Sequence, residues 1–327
     1  MINYLRRQFY NNKYKYYSYK VRFDPEKYID QIKNEINFKL NPIKYVFLCI
    51  DDLCLYDGQN GTLDYGGDQE GYVKTQICSL LDRFPELAIT FFLIPSPTFI
   101  GNGLKTGLIK HQKHYDISNF KIFNTCFPWL LNFKDRVEFA VHGNHHNQTL
   151  IKQYHPYAEF LTLDNESAVK NVADALNKFS MAGYSPIGFK PPAWVLNRSD
   201  NFQIEEFVNG IQKLGIQYVS LSTPMSGLNR EKKIMSHVFP SKIGECINLP
   251  QNINLNWDDE YITRVLKEII FLGGMVVPQI HSVAKSNDMN DGIGLETIRK
   301  IELIINTVKE YDSQYQFATL RQIFGTK

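Results

Sequence analysis

Short apolar runs alternate with amphipathic helical patterns along most of the chain, and this alternation limits the folds that the chain can adopt. A continuous run of β-favouring residues predicts a strand that is buried on both faces, as in a parallel sheet. Repeated strand–helix alternation predicts an α/β fold with a mainly parallel sheet, either open or closed into a barrel. The predicted strands cover residues 45–50, 88–94, 137–141, 187–190, 218–221, 246–249, 275–277 and 316–319. The clearest predicted helices cover residues 166–181, 258–271 and 295–308.

The composition indicates a folded protein and argues against several classes. With 327 residues, 43% of them hydrophobic, the chain can bury a full core. The 36 basic and 34 acidic residues nearly cancel, which argues against nucleic acid as a partner. Five cysteines without a CxxC pair are typical of a reducing compartment. The sequence shows no secretory signal and no run of about 18 apolar residues, so we expect a cytoplasmic location.

The chain is interpreted as two parts. Residues 1–40 are basic and rich in tyrosine and form an N-terminal extension, whereas residues 41–327 form the α/β domain. The extension either packs on the main domain or makes a peripheral contact with an anionic membrane surface or a partner. Two further segments, 57–72 and 95–133, are long for loops, and such loops are usually lids or binding surfaces.

Polar side chains gather at the carboxyl ends of the predicted strands, where the active sites of parallel α/β barrels form. They are Asp51, Asp52, His142, His146, Lys190 and His281. One helical turn would place His142 and His146 on the same face, a common two-imidazole metal geometry, with His145 as the competing second ligand. Each motif also has an ordinary interpretation: a turn, an exposed loop, a charged strand end or a core histidine.

Four motifs, taken in this order, resemble those of the polysaccharide deacetylase family, the NodB-homology proteins or carbohydrate esterase family 4. They are Ile50-Asp51-Asp52, His142-x-x-x-His146, Lys190-Pro191-Pro192-x-Trp194 and Ile280-His281. The family pattern has Thr-Phe-Asp-Asp-Gly, His-(Ser/Thr)-x-x-His, Arg-x-Pro-aromatic and a late hydrophobic-His pair. The resemblance covers residues 43–325 and implies a distorted (β/α)7 barrel of the glycoside hydrolase and deacetylase type, with the N-terminal extension added.

The resemblance also implies a divalent metal, usually zinc. Asp52, His142 and His146 would hold this metal, which makes a site of two imidazoles and one carboxylate. The activity implied is removal of N-acetyl groups from an amino-sugar glycan or glycan precursor. The alternatives are another amide, ester or glycoside hydrolase on the same barrel, or a non-catalytic carbohydrate-binding protein.

Further roles are carried over by position. Asp51 would be the general base and His281 the general acid, while Lys190 would orient the base. Trp194 and Pro192 would line the pocket for an N-acetylated sugar.

Three positions depart from the family pattern. Leu53 replaces a glycine, so the turn after the Asp pair must be built differently. Gly143 replaces Ser or Thr and removes a hydroxyl, and Lys190 replaces an arginine and loses its planar fork. Tyr65 and Trp129, in the two long segments, are candidates to stack on sugar rings, with core packing as the alternative.

Overall fold

The computed structural model describes residues 44–57, 63–65, 72–97, 114–145, 159–192, 196, 201–221, 238–250, 252–255, 257–281 and 295–325. The predicted extension 1–40, with its proposed membrane contact, lies outside the described residues, so the division into two parts stays a prediction. None of the described helices is long and apolar enough to cross a membrane. All five cysteines are free thiols.

The core of the protein is a curled nine-stranded sheet that forms a half-barrel. Its strand order is β10-β11-β9-β8-β7-β5-β2-β13-β12, and every neighbouring pair is parallel except β10 and β11. This mixed α/β architecture confirms the predicted fold. The strands are β1 Tyr45–Val46, β2 Leu48–Leu53, β3 Leu55–Asp57, β4 Leu63–Tyr65, β5 Ile89–Leu93, β6 His114–Tyr115, β7 Val137–Val141, β8 Gly188–Phe189, β9 Tyr218–Val219, β10 Ser241–Ile243, β11 Cys246–Asn248, β12 Ile253–Asn254, β13 Pro278–His281 and β14 Gln316–Phe317.

Helices follow most of the parallel strands. They are α1 Tyr72–Arg83, α2 Asn165–Met181, α3 Ile204–Gln212, α4 Asp259–Leu272, α5 Leu295–Tyr311 and α6 Leu320–Phe324. Helix α2 begins after Asp164, whose carboxylate accepts the N–H of Ser167, and α4 begins after Asp258 in the same way. The three predicted helices are confirmed, whereas α1, α3 and α6 fall outside the predicted ones.

Side chains alternate between two faces of the sheet, because successive residues of a strand point to opposite sides. Leu48 and Ile50 pack with residues of the helices in the larger hydrophobic cluster. Phe47 and Cys49 belong to a second cluster, which we call the inner face. Its members are Phe47, Cys49, Phe92, Ala140, Tyr218, Leu249, Met275, Val277, Ala318 and Leu320. The alternation therefore decides which polar residues at the strand ends can meet.

The prediction that 57–72 and 95–133 are long loops is wrong for the described parts of both segments. Strands β3, β4 and β6 form a separate antiparallel sheet in the order β4-β3-β6. Short 3₁₀ helices cover Ile117–Asn119 and Pro128–Phe133, and a π-helical turn covers Ile122–Cys126. These pieces are too short to give a periodic signal, and burial of residues such as Leu130 in the core stabilises them.

Trp129 lies in this segment and packs edge-on against Phe127, with 6.3 Å between ring centroids, beside the larger cluster. Of its two interpretations, the structure therefore supports core packing. Tyr65 lies in β4, and its side chain is outside the described part of the structure.

Candidate active site

Three of the polar motifs converge at the carboxyl ends of neighbouring strands. Asp51 lies within β2, where it pairs in register with His281 of β13. His142 follows β7 directly, and Lys190 follows β8. Both Asp residues and His281 thus lie inside strands, not after them as predicted. The side chain of His281, and all of His146 and Trp194, lie outside the described structure.

A β-bulge sets the directions of the two neighbouring aspartates. The pairing of β2 with β5 shifts register between Ile50 and Leu53, and Asp52 has a φ of 63°. Regular alternation would send the side chains of Asp51 and Asp52 to opposite faces. Instead, Asp52 reaches His142 while Asp51 reaches Lys190. The positive φ that a glycine adopts most readily thus falls on Asp52 itself, and this is how the turn is built with leucine at position 53.

The contact between Asp52 and His142 is compatible with a shared proton or with a shared cation. Nδ1 of His142 lies 3.0 Å from the backbone carbonyl oxygen of Lys190, which only accepts hydrogen bonds, so Nδ1 carries the proton. In the neutral ring, Nε2 then presents a lone pair, and it lies 3.0 Å from Oδ1 of Asp52. Two acceptors at this distance repel each other unless a proton or a cation lies between them. Ligands at about 2.0–2.2 Å from one metal ion lie about 2.8–3.6 Å apart for angles between about 90° and 110°, and the observed separation falls within this range.

The described residues do not supply a third metal ligand beside Asp52 and His142. No three His, Cys, Asp or Glu side chains in the described ranges group together in a way that could hold a metal. His145 therefore does not complete the site with Asp52 and His142, and its Nδ1 instead lies 2.8 Å from the carbonyl oxygen of Ser96. His146 stays the predicted third ligand.

Beside this pair lies a buried ion pair. Nζ of Lys190 donates to Oδ2 of Asp51 at 2.5 Å and to Oε1 of Gln279 at 3.1 Å. The ammonium group also lies 5.2 Å from the centre of the Phe92 ring. Asp51 is 2% exposed and Lys190 is 1% exposed. Oδ1 of Asp51 has no hydrogen-bond partner among the described residues, so it remains able to accept a proton.

Gln279 and Phe92 were not among the predicted site residues. The signal for Gln279 was positional, because it lies two residues before His281 in the same strand. Cys49, two residues before Asp51, is a poor nucleophile, because burial strongly raises the pKa of its thiol.

Pro192 is buried against the turn that follows His142. A Cβ atom added to Gly143 would lie 2.7 Å from Cγ of Pro192. The visible role of Pro192 is therefore packing, and its contact with substrate stays a prediction.

Comparison with known proteins adds the following. No protein-family model matches the sequence, and no curated protein matches it. A carbohydrate esterase family 4 pseudoenzyme from Bacillus anthracis is similar in structure, with 12% identity, 87% of this chain and 66% of that chain covered, and a TM-score of 0.44. A family 4 carbohydrate esterase from Streptomyces lividans, solved with acetate, shows 11% identity, coverage of 84% and 97%, and a TM-score of 0.42. A family 4 acetyl xylan esterase from Clostridium thermocellum, solved with cobalt, shows 13% identity, coverage of 86% and 90%, and a TM-score of 0.40.

The present chain thus spans just under two thirds of the pseudoenzyme's length. All three structures carry the name of the family that the motif order resembles.

Proposed function

We propose that this protein is a metal-dependent hydrolase that removes N-acetyl groups from an amino-sugar glycan or glycan precursor. The observation that carries the proposal is the contact between Nε2 of His142 and Oδ1 of Asp52, 3.0 Å apart and next to a buried carboxylate. A cation site beside a positioned base is one arrangement that catalyses the hydrolysis of an amide.

The metal would be held by Asp52, His142 and His146. Zinc is our choice, because imidazole and carboxylate ligands with open positions suit it. When bound, such a metal polarises a carbonyl and makes water a better nucleophile.

The remaining steps belong to residues of the chain. Lys190 holds Oδ2 of Asp51, so Oδ1 is left to take the proton of the attacking water. His281, in register with Asp51, would give a proton to the departing nitrogen, because an unprotonated amine is a poor leaving group. The products are acetate and a free amino sugar. Trp194 and Pro192 would contact the sugar.

Metal analysis and product detection test this proposal together. The purified protein should contain about one zinc per chain and should release acetate from N-acetylglucosamine oligomers. His142→Ala should lose both the metal and the activity. Asp51→Asn should keep the metal and lose about 100-fold or more in turnover. Asp174→Asn, an exposed position on α2 with the same change of charge, is the matched control and should behave as wild type.

Two results would refute the proposal. Wild-type protein that holds no metal after zinc loading would show that the proposed metal site does not exist. Full activity of Asp51→Asn would show that Asp51 is not the general base. Release of a product other than acetate would point to another hydrolase on the same barrel.

One observation favours a second function. The burial of Asp51 and its ion pair with Lys190 also fit a carboxylate that only stabilises the fold, as in a non-catalytic carbohydrate-binding protein. Sugar binding without acetate release, in protein that carries its metal, would support that alternative.

A further inference from the structure

The turn that follows β7 is built around a buried carboxylate. Glu159 is 5% exposed, and its two oxygens accept the backbone N–H groups of Asn144 and His145. The four N···O distances lie between 3.1 and 3.2 Å. Successive N–H groups that converge in this way form a backbone nest, which binds anions. Here the anion is a side chain of the protein itself.

Gly143 and Glu159 depend on each other. Gly143 has a φ of +66°, which turns the chain so that the next two N–H groups point at the carboxylate. A Cβ atom at position 143 would overlap Oε2 of Glu159. A hydroxyl-bearing residue at 143 is therefore incompatible with the observed position of Glu159, and the carboxylate supports the loop in its place.

Glu159 is itself held from two sides. Nδ2 of Asn171, on α2, donates to Oε1 at 2.7 Å. The next residue, Phe160, is buried and packs edge-on against Phe189 of β8, with 5.3 Å between ring centroids. Glu159 is thus anchored to helix α2 by a hydrogen bond and to the sheet by its neighbour Phe160.

The nest lies between the two histidines of the proposed metal site. His142 directly follows strand β7, and in the sequence His146 follows the second amide that Glu159 binds. Fixing the amides of Asn144 and His145 fixes the path of the backbone that leads away from His142. Partners that orient metal ligands in this way contribute strongly to metal affinity.

We propose that Glu159 is a positioning residue of the metal site, acting through the backbone of the loop from His142 to His146. This inference rests on the proposed function, because it needs a metal at that site. It assigns to a carboxylate 17 residues after His142 the task of holding the turn that follows this histidine.

Zinc affinity of folded protein tests the inference. Glu159→Gln places an NH₂ group where a carboxylate oxygen faced two N–H donors, and should weaken zinc binding about 10- to 100-fold. Glu159→Asp keeps the charge and should restore part of that loss. Glu310→Gln, an exposed position on α5 with the same charge change, should bind zinc as wild type does. Affinity is measured by competition with a chromophoric chelator, at a temperature where thermal scans show each metal-free variant to be folded.

A spectroscopic readout separates positioning from mere support of the fold. Cobalt(II) loaded in place of zinc gives a visible spectrum that depends on ligand geometry, and Glu159→Gln should change this spectrum. A residue that only stabilises the fold would lower the melting temperature and leave the affinity and spectrum of the folded protein unchanged.

The outcomes distinguish the two proposals. Wild-type protein that binds no zinc refutes the proposed function. Wild-type protein that binds zinc, together with a Glu159→Gln variant of equal affinity and spectrum, overturns the role of Glu159 alone. If Glu159→Gln does not fold, Asn171→Ala replaces it. That variant removes only the 2.7 Å bond from α2 and should weaken zinc binding about 2- to 10-fold, and an unchanged affinity overturns the inference.

Discussion

Replacing Lys190 by methionine tests the buried ion pair of the site. The two charged groups lie 2.5 Å apart, and neither side chain is more than 2% exposed. Methionine has similar length but no charge, so Lys190→Met leaves the Asp51 carboxylate without its cation. The side-chain oxygen of Gln279 would also lose the hydrogen bond that Lys190 donates to it.

The expected loss of stability is large. Removing one partner of a buried ion pair costs about 3–5 kcal/mol, because the remaining charge is neither solvated nor compensated. An unfolding entropy of about 2.1 cal/mol/K per residue gives about 0.7 kcal/mol/K for this chain. The loss therefore corresponds to a melting temperature about 4–7 °C lower than that of wild type.

Urea unfolding and scanning calorimetry measure this loss. The double variant Asp51→Asn/Lys190→Met should recover at least half of it, since the uncompensated charge is then gone. Lys170→Met, at an exposed position on α2, should change the free energy of unfolding by less than about 0.5 kcal/mol. A Lys190→Met variant within about 1 kcal/mol of wild type would refute the reasoning, and so would a double variant less stable than the single one.

Three further predictions concern other residues. Gly143→Ala should cost about 1–3 kcal/mol in urea unfolding, because of the positive φ and the overlap with Glu159, and a neutral result would contradict the nest geometry. Burial raises the pKa of Glu138 to about 7 from its ordinary value of 4.5. The folded state therefore holds this proton more tightly than the unfolded chain, and wild type should lose stability relative to Glu138→Gln as the pH rises from about 4.5 to about 7. A constant difference between the two unfolding curves across this range would contradict this. Ellman's reagent at pH 8 should modify Cys78 first in the native protein, because the other four thiols are buried. In urea all five thiols should react. Rapid reaction of several thiols in the native protein would disprove this prediction.

Local chemistry was sufficient to predict the framework. Residues 137–141 are continuously apolar but for Glu138, and the structure has a strand at Val137–Val141. The helix predicted from 166 begins one residue earlier, after the capping carboxylate of Asp164. Such elements are readable because strand and helix formation depend on neighbours within a few residues. The order of the polar motifs, each at the end of a strand, was readable for the same reason.

Only the tertiary structure decided how those motifs meet. Three features have no local sequence pattern of their own. They are the bulge that directs Asp52 to His142, the contact of the Gln279 amide with Lys190, and the contact of the Glu159 carboxylate with the turn after His142. Asp51 and Lys190 are 139 residues apart in the chain, yet their charged atoms are in contact. Period and propensity act over a few residues, whereas contacts across that distance arise when the whole sheet assembles and its strand ends are brought together.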